Sequence, residues 1–460
     1  MTAPRHGGRT NGEYLIQDPY HPYAIRLMRA MHREFGWRAI CYYTDETDLR
    51  RDYGAYPMLQ DPTQVAESYR VADSGMTAFI EHLAVHHQVR AVVPHYEPAV
   101  ANVGRIAAGL GLAWNPPDVL ERFRHKEALK AYLRSSDPGL RLNFAQVVSG
   151  PTEALQIVRA RGFDRFVLKP NDGFGNTGVG IFDGHAPVGE VQAFWGESGP
   201  LLLEEFIGGE EYHCDGQVDA DGEVTVTDAF RYTRTEVNGR ENIQRASTQV
   251  PHDSARFHEL ADYAARVVAA SGLRRSPFHC EIKVDAAGPC LIECAARLVG
   301  LGTARVINFV HGGALDLFAL AAHYYGTAES AGPVTVDWVS YDSRVVRKIA
   351  GIAEQPERVF NLQGLAEVEA LPEFLFWLKR LRLGDRLQPT VDLFGAAYVA
   401  VIQEPDEGSL DHATERIQDL VRWNGQPITL TDRMRAATAL GRRQVALRRT
   451  ADIRRMPLFT

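Results

Sequence analysis

The sequence predicts a mixed α/β and α+β protein in three parts: an α/β unit over residues 1–118, a strand-rich unit over 119–328 and an α+β unit over 329–460. Three observations carry that prediction. The opening alternates apolar strand runs with amphipathic helical runs, the middle places many glycines between short strands, and the end mixes strands with a helix. A chain of 460 residues also exceeds what one core usually holds.

In order, "EYLIQD" reads as a strand, "YAIRLMRAMHREFG" as an amphipathic helix closed by glycine, and "RAICYYTD" as a second strand. "MTAFIEHLAVHHQ", "VRAVVPH" and "EPAVANVGRIAAGLG" continue the alternation, which implies a small parallel sheet with helices on both sides. Ligands gather at the carboxyl ends of such strands, so Glu97, just past "AVV", could meet a substrate ammonium; a helix-start carboxylate is the other reading. From about Pro116 the character changes. "PPDVLERFRHKEALKAYLR" reads as a helix, strands run to Gly300, and helical segments continue to about residue 330. The last part reads as a separate unit, with "PVTVDWVSY" and "GAAYVAVIQE" as strands and "LDHATERIQDLVRW" as a helix.

Composition narrows the function. The chain is 45% hydrophobic and 23% charged, ordinary for a globular protein, and its formal charge of −8 argues against a general nucleic-acid or membrane surface. Five cysteines without a Cys-x-x-Cys pair read as reduced intracellular thiols. No signal peptide and no run of 18 apolar residues is seen, so a cytoplasmic location is expected. His82 and His86 have i, i+4 spacing but no third ligand, and read as surface histidines.

The chemistry concentrates in "HCEIKVDAAGPCLIECAARLVG". Phe278 to Val284 and Cys290 to Ala296 alternate at the strand period about a turn, a hairpin pattern. If Val284 faces Cys290, Glu281 lies opposite Glu293, with His279, Lys283, Leu291 and Arg297 on the same side and Cys280 opposite Cys294 on the other. Facing carboxylates repel unless a cation lies between them, and hard oxygen ligands favour magnesium. A Lys283–Glu293 ion pair on a solvated face fits the same letters.

"FVLKPNDGFGNTGVGIF" matches G-x-G-x-x-G, but a strand follows instead of a helix, so the glycines join two strands and offer backbone N–H groups to phosphates; a plain flexible turn is the alternative. Lysine is scarce, only Lys126, Lys130, Lys169, Lys283, Lys348 and Lys379 among 50 basic residues, which makes Lys169 and then Lys126 candidates for phosphate. "LLLEEFIGGEEYHCDGQV" supplies a strand, a Phe206-Ile207 step and Glu211. That arrangement suits an adenine edge and ribose hydroxyls, and equally an edge strand with exposed glutamates.

In this order, "HKEALKAYL", "VLKPNDGFGNTGVG", "LLLEEFIGGEEY" and "FHCEIKVDAAGPCLIECAARLVG" resemble the ATP-grasp superfamily of carboxylate–amine ligases, most closely the bacilysin-type L-amino-acid ligases. The resemblance covers residues 90 to 325 well. It implies an ATP-grasp fold with a small subdomain over 119–202 and a central one over 203–328, between an N-terminal Rossmann-like (pre-ATP-grasp) domain and a C-terminal α+β domain. It makes Lys126 and Lys169 the phosphate lysines and Gly173, Gly175, Asn176 and Gly178 the flap. Glu204, Glu205, Phe206 and Ile207 become the adenine hinge, Glu211 the ribose ligand, and Glu281 and Glu293 the ligands of magnesium, with manganese as a substitute. Arg297 would face the reacting phosphate and carboxylate, near the substrate-side residues Glu97, His279, Gly300 and Leu301; for Leu301 plain packing is the other reading. Where many relatives have asparagine as a further metal ligand, this chain has Ala295. The implied activity joins an amino acid or similar carboxylate to an amine through an acyl phosphate, giving ADP and phosphate. A thiol or hydroxyl acceptor, and a non-catalytic nucleotide-binding protein, are the alternatives. The implied partners are small-molecule carboxylates and amines, with a homodimer left open.

Overall fold

The opening alternation folds into a parallel sheet. Strand β1 (Glu13–Gln17), helix α1 (Pro22–Phe35), β2 (Arg38–Tyr43), β3 (Val65–Val71), α2 (Met76–His86), β4 (Val89–Val93) and α3 (Glu97–Gly109) follow in turn. The sheet order is β3-β2-β1-β4, with Leu458–Phe459 parallel to the outer edge of β3. The computed structural model describes residues 12–19, 22–44, 56–173, 175–300, 302–327, 334–392, 394–424 and 458–459. Among these, no helix is long and apolar enough to cross a membrane.

"PPDVLERFRHKEALKAYLR" forms two helices instead of one, α4 (Pro117–Arg124) and α5 (Lys126–Ser136), because His125 is extended at φ −113° and ψ 106°. The break lets Asn171 satisfy the first amides of α5: its backbone carbonyl accepts from Lys126 N at 3.2 Å and its side chain from Glu127 N at 3.1 Å. A four-stranded sheet follows, built from β5 (Ala145–Val148), β6 (Arg165–Lys169), β7 (Gly180–Asp183) and β8 (Leu201–Glu205) in the order β5-β8-β6-β7. Helix α6 (Pro151–Arg161) and helix α7 (Val188–Trp195) close its core around Phe166, Leu168 and Leu203. β6 and β7 pair antiparallel, as the hairpin reading of the glycine loop requires.

The chain then crosses at 206–209 into an eight-stranded antiparallel sheet. Its strands include β9 (Glu210–Val218), β10 (Val224–Val237), β11 (Arg240–Gln249), β12 (Ser276–Asp285), β13 (Gly288–Ala295) and β14 (Val345–Ala350). Helix α8 (Ala255–Ser271), capped by Ser254 Oγ accepting from Phe257 N at 3.2 Å, packs its apolar face on one side; α9 (Thr303–Val310) and α10 (Leu317–Gly326) follow β13.

The last region keeps a hydrophobic cluster of its own around Ile349, Val368, Ile402 and Ile417, yet it shares the large sheet: β14 pairs with β11, and Val399–Glu404 and Phe374–Lys379 extend the ladder. "PVTVDWVSY" is not a strand. Asp337 caps a short helix, Trp338–Tyr341, with Trp338 stacked on His252 at 3.9 Å and Tyr341 fully buried, so packing overrides the alternation.

The carboxylate hairpin forms with its register changed twice. Val284 pairs with Pro289 and Lys283 with Cys290, because the connection is only Ala286-Ala287, with Gly288 at φ +94°. Ile292 is then an extra residue on β13, a bulge that restores the Glu281–Glu293 and Cys280–Cys294 pairs. Leu291 consequently points away from the glutamates into the core, opposite Ile282, and not toward them as the simple count implied.

Candidate active site

β12 and β13 bring Glu281 and Glu293 side by side on a face where each side chain keeps about a fifth of its surface exposed. Cations flank the pair. Lys126 Nζ lies 3.4 Å from Glu293 Oε2, and His279 Nε2 lies 3.6 Å from Glu281 Oε1, which also accepts from Tyr232 OH at 3.3 Å. Burial opposes the charge on Glu281, but His279 and Arg234 outweigh it and hold the carboxyl at about 2. Burial likewise opposes the His279 imidazolium, but Asp215, 2.8 Å from Nδ1, raises it to about 10. Asp215 also accepts from His213 at 2.7 Å, so a buried His–Asp–His row lies on the same sheet face as Glu281. Two oxygen ligands, partly open, fit a magnesium ion that keeps water and phosphate oxygens in its other positions.

The lysines converge from two elements. Lys126, at the first turn of α5, also donates to Gly173 O at 2.6 Å and so ties the helix to the base of the flap. Lys169, at the end of β6, is 7% exposed and pairs with Glu204 Oε2 at 2.6 Å. Lys130 was not singled out in the sequence, yet it holds the other Glu204 oxygen and donates to Asn143 at 2.7 Å. Its i, i+4 spacing from Lys126 in a lysine-poor chain was the available signal. Burial would raise the Glu204 carboxyl, but the two ammoniums hold it at about 2. Its side chain is therefore committed to the two lysines.

The flap runs over this cleft with Gly175, Asn176 and Gly178 at positive φ. At Gly175 two constraints coincide, a φ of +68° and a ring of Phe394 that a Cβ would meet at 2.5 Å. Gly173, Asn176, Glu204, Glu205, Phe206 and Ile207 line one cavity with Lys126 and Lys169. Lys283 donates to Ile207 O at 2.9 Å and lies over the Phe206 ring, 4.5 Å from its centre. It makes no ion pair with Glu293; Glu293 pairs with Lys126 instead. Glu205 points to the backbone N–H of Phe144, and Glu211, inside the cavity, is paired with Arg234.

A second cavity opens on the other side of the glutamates. Arg297, Glu97, His279 and Gly300 line it, and it shares Asn176, Glu281 and Glu293 with the first. Glu97 starts α3 and is 4% exposed, its Oε2 accepting from Arg297 Nε at 2.6 Å. The sequence reading missed Asp18, which follows β1 and also lines this cavity; it has the same strand-end placement that pointed to Glu97. Leu301 lies outside the described residues.

A family model of the ATP-grasp domain matches residues 164–305, from β6 through the flap and hinge to both glutamates. The chain carries an ATP-grasp domain. Dapdiamide A synthase of Enterobacter agglomerans is 29% identical over 144 residues, 29% of this chain and 33% of that one, so the match spans about a third of that relative. The L-amino acid ligase of Bacillus licheniformis superposes with a TM-score of 0.67 at 16% identity, over 91% of this chain and 100% of that one. The biotin carboxylase domain of Hydrogenobacter thermophilus 2-oxoglutarate carboxylase, solved with ADP, its magnesium salt and bicarbonate, does so with 0.59 at 14% identity, over 91% of each. These superpositions extend the ATP-grasp likeness from the matched domain to the fold of most of the chain.

Proposed function

We propose that this protein is an ATP-dependent carboxylate–amine ligase that joins an amino acid or similar carboxylate to an amine or second amino acid through an acyl phosphate, releasing ADP and phosphate. The observation that carries the reading is the pair of cavities meeting at Glu281 and Glu293. A nucleotide in the first would have its terminal phosphate at the shared wall, and a carboxylate in the second would lie against the same wall beside Arg297.

In this reading the Phe206-Ile207 backbone reads the adenine edge and Glu211, oriented by Arg234, takes ribose hydroxyls. Lys126 and Lys169 hold the phosphates, and the flap excludes water from the activated acyl group. Magnesium held by Glu281 and Glu293 would neutralise charge on the phosphate oxygens. Arg297, fixed by Glu97, stabilises the charge that builds as the carboxylate oxygen attacks the γ-phosphorus; the amine then displaces phosphate. No protein nucleophile is required. The names of dapdiamide A synthase and the B. licheniformis ligase support amide-forming chemistry on amino-acid-like substrates.

The test is a phosphate-release screen over pairs of amino acids with mass detection of products. A new amide should appear in step with ADP and phosphate, and ATP that binds without being consumed across the screen would refute the proposal.

A further inference from the structure

The second cavity is lined by charges of both signs. Asp18 and Glu97 line it, and Arg297 is taken up by Glu97. Lys348 of β14 lines it too, 7% exposed, its ammonium donating to Thr303 Oγ1 at 2.6 Å. Among the described residues no carboxylate lies within ion-pair distance of it. The acids acting on it from a distance are engaged elsewhere, Asp215 by His213 and His279 and Asp228 by Thr227. Burial, offset only in part by those two acids, pushes the Lys348 ammonium down to about 8. Ser247, paired with Lys348 across the β11–β14 ladder, leaves a buried hydroxyl without a hydrogen-bond partner.

Lys348 also lines a third cavity, which shares Tyr23, Gln244 and Phe394 with the second. Arg26, Arg305 and Lys379 line it as well, all exposed. The acid that lines it, Asp392, accepts the backbone N–H groups of Phe394 and Gly395. A path bordered by this much positive charge and ending on a buried ammonium favours an anion.

We infer that the amine substrate enters through this third cavity and carries a carboxylate that Lys348 and Thr303 hold, so that Lys348 selects an amino acid over a neutral amine. The inference rests on the ligase reading. Its physical basis is asymmetry: a carboxylate gives the buried ammonium a charge-assisted partner, whereas a neutral analogue in the same place shuts the ammonium off from water unpaired.

The experiment compares alanine with alaninamide and phenylalanine with phenylalaninamide as acceptors, using a donor chosen from the twenty common amino acids by hydroxamate formation with hydroxylamine. The parent enzyme should favour the free amino acid in kcat/KM by roughly tenfold or more. Lys348→Met should bring that ratio close to one through KM of the amino acid, and Lys348→Arg should keep most of it. If Lys348→Met does not fold, the parent ratio and that of Thr303→Val, which should fall, decide. A parent ratio near one, or a ratio untouched by these substitutions, overturns the assignment. Failure of every donor to give hydroxamate and ADP is a different result, and removes the ligase reading itself.

Discussion

Replacing Glu204 by glutamine tests the buried charge network at the first cavity. Glu204 is 2% exposed and bridges Lys130 and Lys169, so the substitution leaves two buried ammoniums facing a neutral amide. A carboxyl that ordinarily titrates at 4.5 is held at about 2 in the folded chain, which at about 1.4 kcal/mol per pH unit corresponds to about 3 kcal/mol of stability. Removing one partner of a buried ion pair gives a similar figure, about 3–5 kcal/mol. Because the folded carboxyl titrates below the unfolded one, the unfolded chain takes up the proton first. The contribution is therefore complete above about pH 4.5 and disappears as the pH falls through about 2. Urea denaturation of the parent and Glu204→Gln should show a gap of about 3 kcal/mol at pH 7 that narrows below pH 4.5. A gap under about 1 kcal/mol at pH 7, or one that widens in acid, would refute the network as drawn.

Four further substitutions address the chemistry, the last of them as a second-site change. Glu293→Gln should lower kcat by about a thousandfold or more with the circular dichroism spectrum unchanged; turnover near the parent's with the same magnesium dependence would reject the metal assignment. Lys169→Met should weaken ATP binding by at least about tenfold in calorimetry, and equal affinity would leave the lysine with a structural role through Glu204 alone. Gly175→Ala forces an L-residue to φ +68° against Phe394, a strain of about 1–2 kcal/mol, and should raise KM for ATP. Adding Phe394→Ala should recover part of the loss, and no recovery would show that the ring contact does not position the flap.

The opposed glutamates were legible because strand alternation and pairing are set by a period of two, and the pairing survived two register changes that cancel. The shorter turn and the Ile292 bulge were not legible, since nothing in the composition marks which residue is extra. β14 escaped notice because Arg347 and Lys348 interrupt its apolar run; both are buried, Arg347 held by Thr248 and Thr414 and Lys348 by Thr303. The helix break at His125 has no glycine or proline to announce it, and it depends on Asn171, 46 residues away. Lysine scarcity singled out Lys126 and Lys169, which line one cavity, but the inward turn of Glu204 depends on Lys130 and so on tertiary packing. The continuity of the large sheet past residue 329 likewise follows from an edge pairing between β11 and β14 that periodicity does not encode.

In the proposed reaction the carboxylate attacks the γ-phosphorus and not the α-phosphorus. Both lysines, the paired glutamates and Arg297 gather around one shared wall, where positive charge would stabilise transfer of a terminal phosphoryl group. The most direct measurement follows the oxygen. A donor amino acid labelled with ¹⁸O in its carboxylate, incubated with ATP, magnesium and an acceptor, should deliver one labelled oxygen to inorganic phosphate for each amide formed, with ADP as the nucleotide product. Label recovered in AMP, with pyrophosphate released, would contradict the mechanism even if the same amide were made.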